Sequence, residues 1–297
     1  MLSSNGADEA ALQFSYTDAP AINIATAEQL LLEAKGIMDS LGVRFFLRQG
    51  TCLGIIRNKA LIPWDDDIDI GSLYGLDGVT DEKIEAVAAA FTANGYYAKV
   101  EDSDDCVGVT MMKSSTRIDW NCYKVTNGTT VHYPGVRMPA QLFENLKEID
   151  FIGTIFFVPN PPEEYLRFKY GLDWMTPKKE GFEKDVLALI SDAPASDGPI
   201  LQEQAGKLKV LDHENQPVIN ADVRIVAVGS YQTDELGYVN FPLVKEDWYA
   251  LVIKHGDHEE VLYQEKMTPG ITYVYQPDQT AISGRLCVLS QEEEHEH

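Results

Sequence analysis

Apolar residues recur at helical spacing over 26–41, where Leu30, Leu31, Ala34 and the pair Ile37 and Met38 form a stripe that Gly42 ends. Thr26 with Gln29 resembles a capping box at its start. A second stripe, Ile84, Val87, Ala88 and Phe91, predicts a helix over 80–93, opened by Thr80 and closed by Asn94-Gly95. Val-Arg-Phe-Phe-Leu at 43–47 predicts a short strand, and a helical turn follows Gly50-Thr51 as far as Asn58. Over 116–124, Ile118, Trp120 and Cys122 alternate with Arg117, Asp119 and Asn121, which predicts a strand; 106–113 predicts another. Two prolines and a glycine stop bracket a short helix over 161–171.

Beyond 191–200, a stretch rich in Ala, Ser, Asp, Pro and Gly, the period changes. Short alternating runs at 207–211, 222–228, 238–243, 248–253, 260–264 and 271–275 are separated by turn residues. That pattern predicts a small antiparallel β-sandwich. The expected organisation is an N-terminal extension (1–24), an α+β catalytic domain with a mixed sheet (25–190), a linker (191–204), a β-sandwich accessory domain (205–278) and a tail (279–297).

One stretch breaks the apolar pattern. Residues 62–70, Ile-Pro-Trp-Asp-Asp-Asp-Ile-Asp-Ile, place four carboxylates within five positions of a strand. Aspartate is a poor strand former, and like charges so close repel unless a cation sits between them. In an extended chain Asp65, Asp67 and Asp69 share one face, with Ile68 and Ile70 on the other. A cluster of this kind is as readily a solvated loop tip. Such a tip has no use for Ile68 and Ile70, nor for the stiff Pro63-Trp64 lead-in. Hard oxygen ligands in this density suit Mg²⁺ or Mn²⁺. Asp119 on the polar face of its own strand is the candidate third carboxylate.

The remaining composition narrows the partners. The chain has 297 residues, with a formal net charge of −23. Such a surface repels nucleic acid and anionic lipid, and an anionic substrate would need local cations or metal. The first residues lack a basic stretch and an apolar core, and no window approaches 18 apolar residues, so neither a secretory leader nor a membrane span is expected and the expected location is cytoplasmic. Cys52, Cys106, Cys122 and Cys287 have no zinc spacing and are read as reduced thiols.

Residues 49–70 (QGTCLGIIRNKALIPWDDDIDI) resemble the LicD and fukutin-related family of phosphocholine and phospho-alcohol transferases. Gly50, Thr51, Gly54, Arg57 and Ile62 to Asp67, with Asp69, match the family pattern; Gln49 and Cys52 depart from it. Tyr133-Pro134, Asn160-Pro161, Glu164-Tyr165-Leu166 and Tyr170-Gly171 extend the resemblance, which covers roughly 25–180. Residues 206–276 resemble a carboxypeptidase regulatory-like, or transthyretin-like, β-sandwich.

The resemblance implies a nucleotidyltransferase-like fold and a transfer in which a hydroxyl of a cell-surface glycan or its precursor, such as lipopolysaccharide or teichoic acid, attacks a CDP-linked alcohol such as CDP-choline and releases CMP. It implies that Asp67, Asp69 and Asp119 hold Mg²⁺ (or Mn²⁺), with Asp65 as a further ligand. Gly50 and Thr51 would approach a phosphate, and Arg57 would clamp it. Lys59 and Arg48 are weaker candidates for that task. Trp64 is expected to be packing, although it could stack on a base or on choline. Asp66 is expected to be dispensable for metal, Trp120 to be packing, and His132 to lie at the surface. Two alternatives stay open: a nucleotidyltransferase moving NMP to a sugar or phosphate, and a catalytically idle glycan-binding protein.

Overall fold

The computed structural model describes residues 6–179, 181–192, 205–277 and 288–292. Most of the expected linker and tail, with Cys287, lies outside the described residues. The chain packs as two compact units: the residues through His132 with Val136–Pro177, and Tyr133–Gly135 with the residues from Lys178 onward.

The first unit opens with helices α1 (Glu9–Thr17) and α2 (Ile24–Ser40), then β1 (Phe46–Leu47), α3 (Gln49–Asn58) and the acidic strand β2 (Asp67–Leu73). Helix α4 (Asp81–Ala93) leads to β3 (Tyr97–Asp102), β4 (Cys106–Lys113) and β5 (Thr116–Tyr123). These strands form one mixed sheet in the order β1-β2-β5-β4-β3, in which only β2 and β5 are parallel. Hairpins β6 (Thr129–His132) with β7 (Val136–Pro139) and β8 (Lys147–Phe151) with β9 (Thr154–Val158) follow, with α5 (Gln141–Glu144) between them and α6 (Pro162–Tyr170) after.

Local chemistry explains the elements. Thr80 caps α4 as expected, accepting from the Lys83 N–H. Helix α2 begins two residues earlier than its apolar stripe suggests, because Asn23 rather than Thr26 is the cap; its Oδ1 accepts from the Thr26 N–H at 3.0 Å. The β4–β5 hairpin turns on Ser114 and Ser115, both at positive φ (52° and 56°), which suits a two-residue reversal. On β2 and β5 the alternation holds: Ile68, Ile70, Ile118, Trp120 and Cys122 are fully buried. Trp120 is a packing residue as expected, with its indole N–H on Ser72 Oγ. Strand β3 carries Tyr-Ala-Lys-Val-Glu-Asp with four exposed positions; it is an edge strand without an apolar face, so no periodicity announces it.

The second unit holds α7 (Phe182–Ala188), which precedes the expected linker, and strands β10 (Ala205–Val210), β11 (Asp222–Ile225), β12 (Gly229–Gln232), β13 (Tyr238–Pro242), β14 (Asp247–His255), β15 (His258–Met267), β16 (Thr272–Tyr275) and β17 (Ser290–Gln291). They form sheets β13-β10-β16-β17 and β12-β11-β14-β15, whose inner faces share one core including Leu208, Ile225, Phe241, Leu251, Ile253 and Tyr275. The expected purely antiparallel sandwich needs one correction: β10 and β16 pair in parallel. The run at 222–228 is also divided, because Ala227 takes φ 65° and turns the chain back from β11 into β12. Among the described residues no helix is long and apolar enough to cross a membrane.

Candidate active site

Parallel pairing of β2 with β5 places Asp67 opposite Arg117 and Asp69 opposite Asp119. All four belong to the polar face of the sheet, so three carboxylates and a guanidinium converge on adjacent central strands. Asp119 is thus on an interior strand, with Thr110 of β4 as its other neighbour, and not on an exposed edge.

Arg117 is the centre of this cluster and is buried. Its Nη2 donates to Asp67 Oδ2 (2.6 Å) and Asp66 Oδ2 (2.8 Å), and its Nε donates to Asp119 Oδ2 (3.1 Å). A second buried arginine serves Asp69: Arg48 Nη2 meets Asp69 Oδ1 at 2.7 Å while Nε donates to the Ile70 carbonyl at 3.0 Å. Arg48 therefore faces inward rather than toward a phosphate. Two charge-bearing polar atoms, Arg48 Nη1 and Asp119 Oδ1, are buried with no hydrogen-bond partner among the described residues.

Helix α3 starts directly above the strand. A Cβ on Gly50 would stand 2.2 Å from Asp65 Oδ2, so a larger residue here would push that carboxylate aside. Gln49, in place of the family's first glycine, accepts φ 44°, and its N–H donates to Tyr165 Oη at 2.8 Å. Thr51 departs from expectation. Its hydroxyl is buried and accepts from the Asp69 N–H at 2.8 Å, so it braces β2 instead of facing a phosphate. Asp66, expected to stand aside, shares Arg117 with Asp67, and oxygens of Asp65, Asp66 and Asp67 lie within 4.8 Å of one another. Asp65 and Asp66 precede the strand proper, so strict alternation does not govern them.

Not all candidates join the cluster. Arg57 is half-buried at the end of α3 with its Nε on Asn58, and Lys59 is exposed where a left-handed residue (φ 56°) stops the helix. Neither forms an ion pair with a carboxylate among the described residues. Trp64 is exposed beside the acidic stretch. His132 is buried, contrary to the expected surface position, because β6 packs it on Tyr123 (centroids 3.8 Å apart) and Phe143 (5.1 Å). Burial also pushes its imidazole well below the usual range. Lys169 of α6 is fully buried, and burial with the nearby Arg48 charge brings its ammonium down to about 7.

Asp65, Asp66, Asp69 and Asp119 are raised above the ordinary carboxylate range. Burial, reinforced by Asp67, raises Asp66 to about 6 despite Arg117. Burial likewise raises Asp65, where Asp67 and Asp69 add to it, and Asp69 and Asp119, where the arginines oppose it. Two arginines are thus too little positive charge for five clustered carboxylates. Oxygens of Asp65, Asp66 and Asp67 come within one ion's reach of each other, and this all-oxygen set fits a divalent cation such as Mg²⁺ or Mn²⁺; Asp69 and Asp119 stand outside that group, with Asp119 Oδ1 buried and without a hydrogen-bond partner among the described residues.

Comparison with known proteins points to the same stretch of chain. Residues 42–161 match the model of the LicD/FKTN/FKRP nucleotidyltransferase domain. The human ribitol 5-phosphate transferase FKRP is 28% identical over 145 residues, which is 46% of this chain and 29% of that protein. The human ribitol-5-phosphate transferase FKTN is 30% identical over 161 residues, 52% of this chain and 34% of that protein. The chain spans about a third of the length of these relatives. The matched segment contains every carboxylate of the cluster together with Arg48 and Arg117, and over that segment the chain is similar to the LicD/FKTN/FKRP family of nucleotidyltransferase domains.

Proposed function

We propose that this protein is a Mg²⁺- or Mn²⁺-dependent phosphotransferase that moves a phospho-alcohol from a CDP-linked alcohol to a hydroxyl of a glycan and releases CMP. The observation that carries the reading is the register of β2 on β5, which sets Asp67, Asp69 and Asp119 side by side on one face. Relatives named as ribitol-5-phosphate transferases support phospho-alcohol as the transferred group.

Asp67, Asp69 and Asp119 would hold the cation, with Asp65 and Asp66 adjoining. The cation supplies neutralisation of the donor diphosphate and of the charge that develops during transfer. The protein's own groups do the rest. The proton of the attacking hydroxyl would pass to a carboxylate of the cluster, for which Asp119 is the candidate. That hydroxyl oxygen bonds to the phosphorus carrying the alcohol, and the bond from that phosphorus to the CMP oxygen breaks. Gly50 leaves the α3 backbone bare where a Cβ would displace Asp65. Arg57 and Lys59, not engaged by the carboxylates, are the cations left to meet donor phosphates. Trp64 offers an exposed ring for a base or a choline group.

The test is a screen of CDP-choline, CDP-ribitol, CDP-glycerol and CDP-ethanolamine for Mg²⁺-dependent CMP release. Asp67→Ala should abolish it with an unchanged circular dichroism spectrum. One preorganised charge is worth roughly 10²–10³ in rate, and the cation would be lost as well. Wild-type turnover in that variant would sink the assignment. Pyrophosphate release from a nucleoside triphosphate would point instead to nucleotidyl transfer. Absence of any thermal stabilisation by Mg²⁺ with CDP would favour an idle binding protein.

A further inference from the structure

Helix α1 lies outside the segment that matches the family, yet it ends on the guanidinium that gathers the carboxylates. Ser15 is buried, and both its carbonyl (3.2 Å) and its Oγ (2.9 Å) accept from Arg117 Nη1. The Tyr16 ring covers the same group, with Arg117 Cζ 4.5 Å from the ring centroid. The segment is pinned on both sides of this contact. The Gly6 carbonyl accepts from the Ser115 N–H at 3.2 Å, and the Ile22 N–H donates to the Asp65 carbonyl at 2.9 Å. Asp8 caps the helix through its Oδ1, which accepts from the Ala11 N–H at 2.7 Å.

A guanidinium has its donors in a fixed plane, so fixing one edge aims the others. In Arg117, Nε and Nη2 serve the three carboxylates and Nη1 serves Ser15. Helix α1 therefore holds the edge the carboxylates leave open, and Tyr16 shuts one face from water. Asp67 and Asp119 each give Oδ2 to Arg117. The direction of their Oδ1 atoms depends on where that guanidinium sits.

We propose that Tyr16 and Ser15 are positioning residues of the carboxylate site: α1 locks Arg117, and Arg117 sets the aim of Asp67 and Asp119 toward a divalent cation. The inference rests on the reading of these carboxylates as cation ligands. It predicts that the aromatic face is what matters at position 16, because a ring face attracts the guanidinium and an aliphatic side chain does not.

The test uses the full chain with Mn²⁺ alone as the probe, titrated calorimetrically without nucleotide, and CMP release from the four CDP-alcohols in parallel. Tyr16→Ala and Tyr16→Leu should each bind Mn²⁺ about tenfold more weakly, the effect of losing a desolvated cation–π contact. Tyr16→Phe, which keeps the ring face and loses only the hydroxyl's hydrogen bond with Thr110, should bind within about threefold of wild type. Phe14→Ala, on an exposed position of the same helix, should match wild type. Thermal unfolding of each variant guards against a fold defect, and Tyr16→Leu keeps the apolar packing if the alanine variant does not fold. Wild-type Mn²⁺ affinity in Tyr16→Leu overturns the inference, and so does an equal loss in Phe14→Ala. Mn²⁺ binding weakened at Tyr16 with no CMP release from any donor supports the inference while overturning the proposed reaction. Failure of the wild-type chain to bind millimolar Mn²⁺ overturns both.

Discussion

Replacing Arg117 by Met tests the logic of the site most directly. Methionine keeps much of the buried stem volume and removes only the charge and the donors. Arg117 is buried and meets Asp67 at 2.6 Å, Asp66 at 2.8 Å and Asp119 at 3.1 Å. Removing one partner of a buried ionic network leaves the others uncompensated, at a cost of about 3–5 kcal/mol. For a unit of this size each kcal/mol moves the midpoint by about 2–4 °C, so the loss should be about 6–20 °C at pH 7.5. The penalty comes from ionised carboxylates. Without Arg117 the carboxyls of Asp66 and Asp119 lose an opposing cation and rise further, so the penalty should be smaller at pH 5 than at pH 7.5. Mg²⁺ supplies replacement charge, so it should stabilise Arg117→Met more than wild type. The assay is thermal unfolding at both pH values, with chelator and then with Mg²⁺. A shift below about 2 °C at pH 7.5, or an equal penalty at pH 5, would refute the reasoning.

Other predictions follow from the same cluster. Asp66 has its folded carboxyl near 6 against an ordinary 3.8, so between these values the folded state holds more protons than the unfolded chain. Stability in chelator should therefore fall as pH rises across that window, by about 3 kcal/mol from this group, and Mg²⁺ should flatten the slope; urea unfolding checks it, and a flat profile without metal refutes it. Gly50→Ala should leave the melting temperature within a few degrees, since Ala favours a helix by about 1 kcal/mol, yet weaken Mg²⁺ binding at least tenfold by displacing the Asp65 carboxylate. Lys169 has its folded ammonium near 7 against 10.5, so the folded state holds fewer protons between them and stability should rise with pH from 7 to 10. Lys169→Met should abolish that rise and increase stability at pH 7; an unchanged pH profile would count against the placement.

The elements with a strong period were legible in the sequence. The helix of Ile84, Val87 and Phe91 and the strand of Ile118, Trp120 and Cys122 stand where their spacing puts them. So does the pairing of buried Ile68 and Ile70 against polar Asp67 and Asp69. What stayed hidden lacked a local signal. Strand β3 is stabilised by its ladder to β4 rather than by an apolar face. Helix α1 did carry a sign, Asp8 before Glu9-Ala10-Ala11-Leu12, but one that short competes with a disordered terminus. The largest gap concerned cations. Arg57 stood out by its place in a motif, with Lys59 and Arg48 as lesser candidates for a phosphate, whereas the groups that neutralise the carboxylates are Arg48 and Arg117. Arg117 sits in a strand whose polar face reads as ordinary solvent exposure; only the parallel register with β2 turns it inward onto Asp67.

Arg117 also sets an order of events in time. Its partners lie 102 residues away at Ser15 and 50 residues away at Asp67. A ribosome adding about 5–20 residues per second exposes the acidic strand roughly 3–10 s before the arginine that neutralises it. Throughout that interval the aspartates repel one another, and β2 has no parallel neighbour to pair with. The sheet cannot close early around a half-made site, because the residue that removes the repulsion arrives on the strand that completes the ladder. Neutralisation of the carboxylates and completion of the sheet are therefore one step, and a ribosome-bound chain ending before residue 117 should remain open and protease-sensitive at Asp65–Asp69.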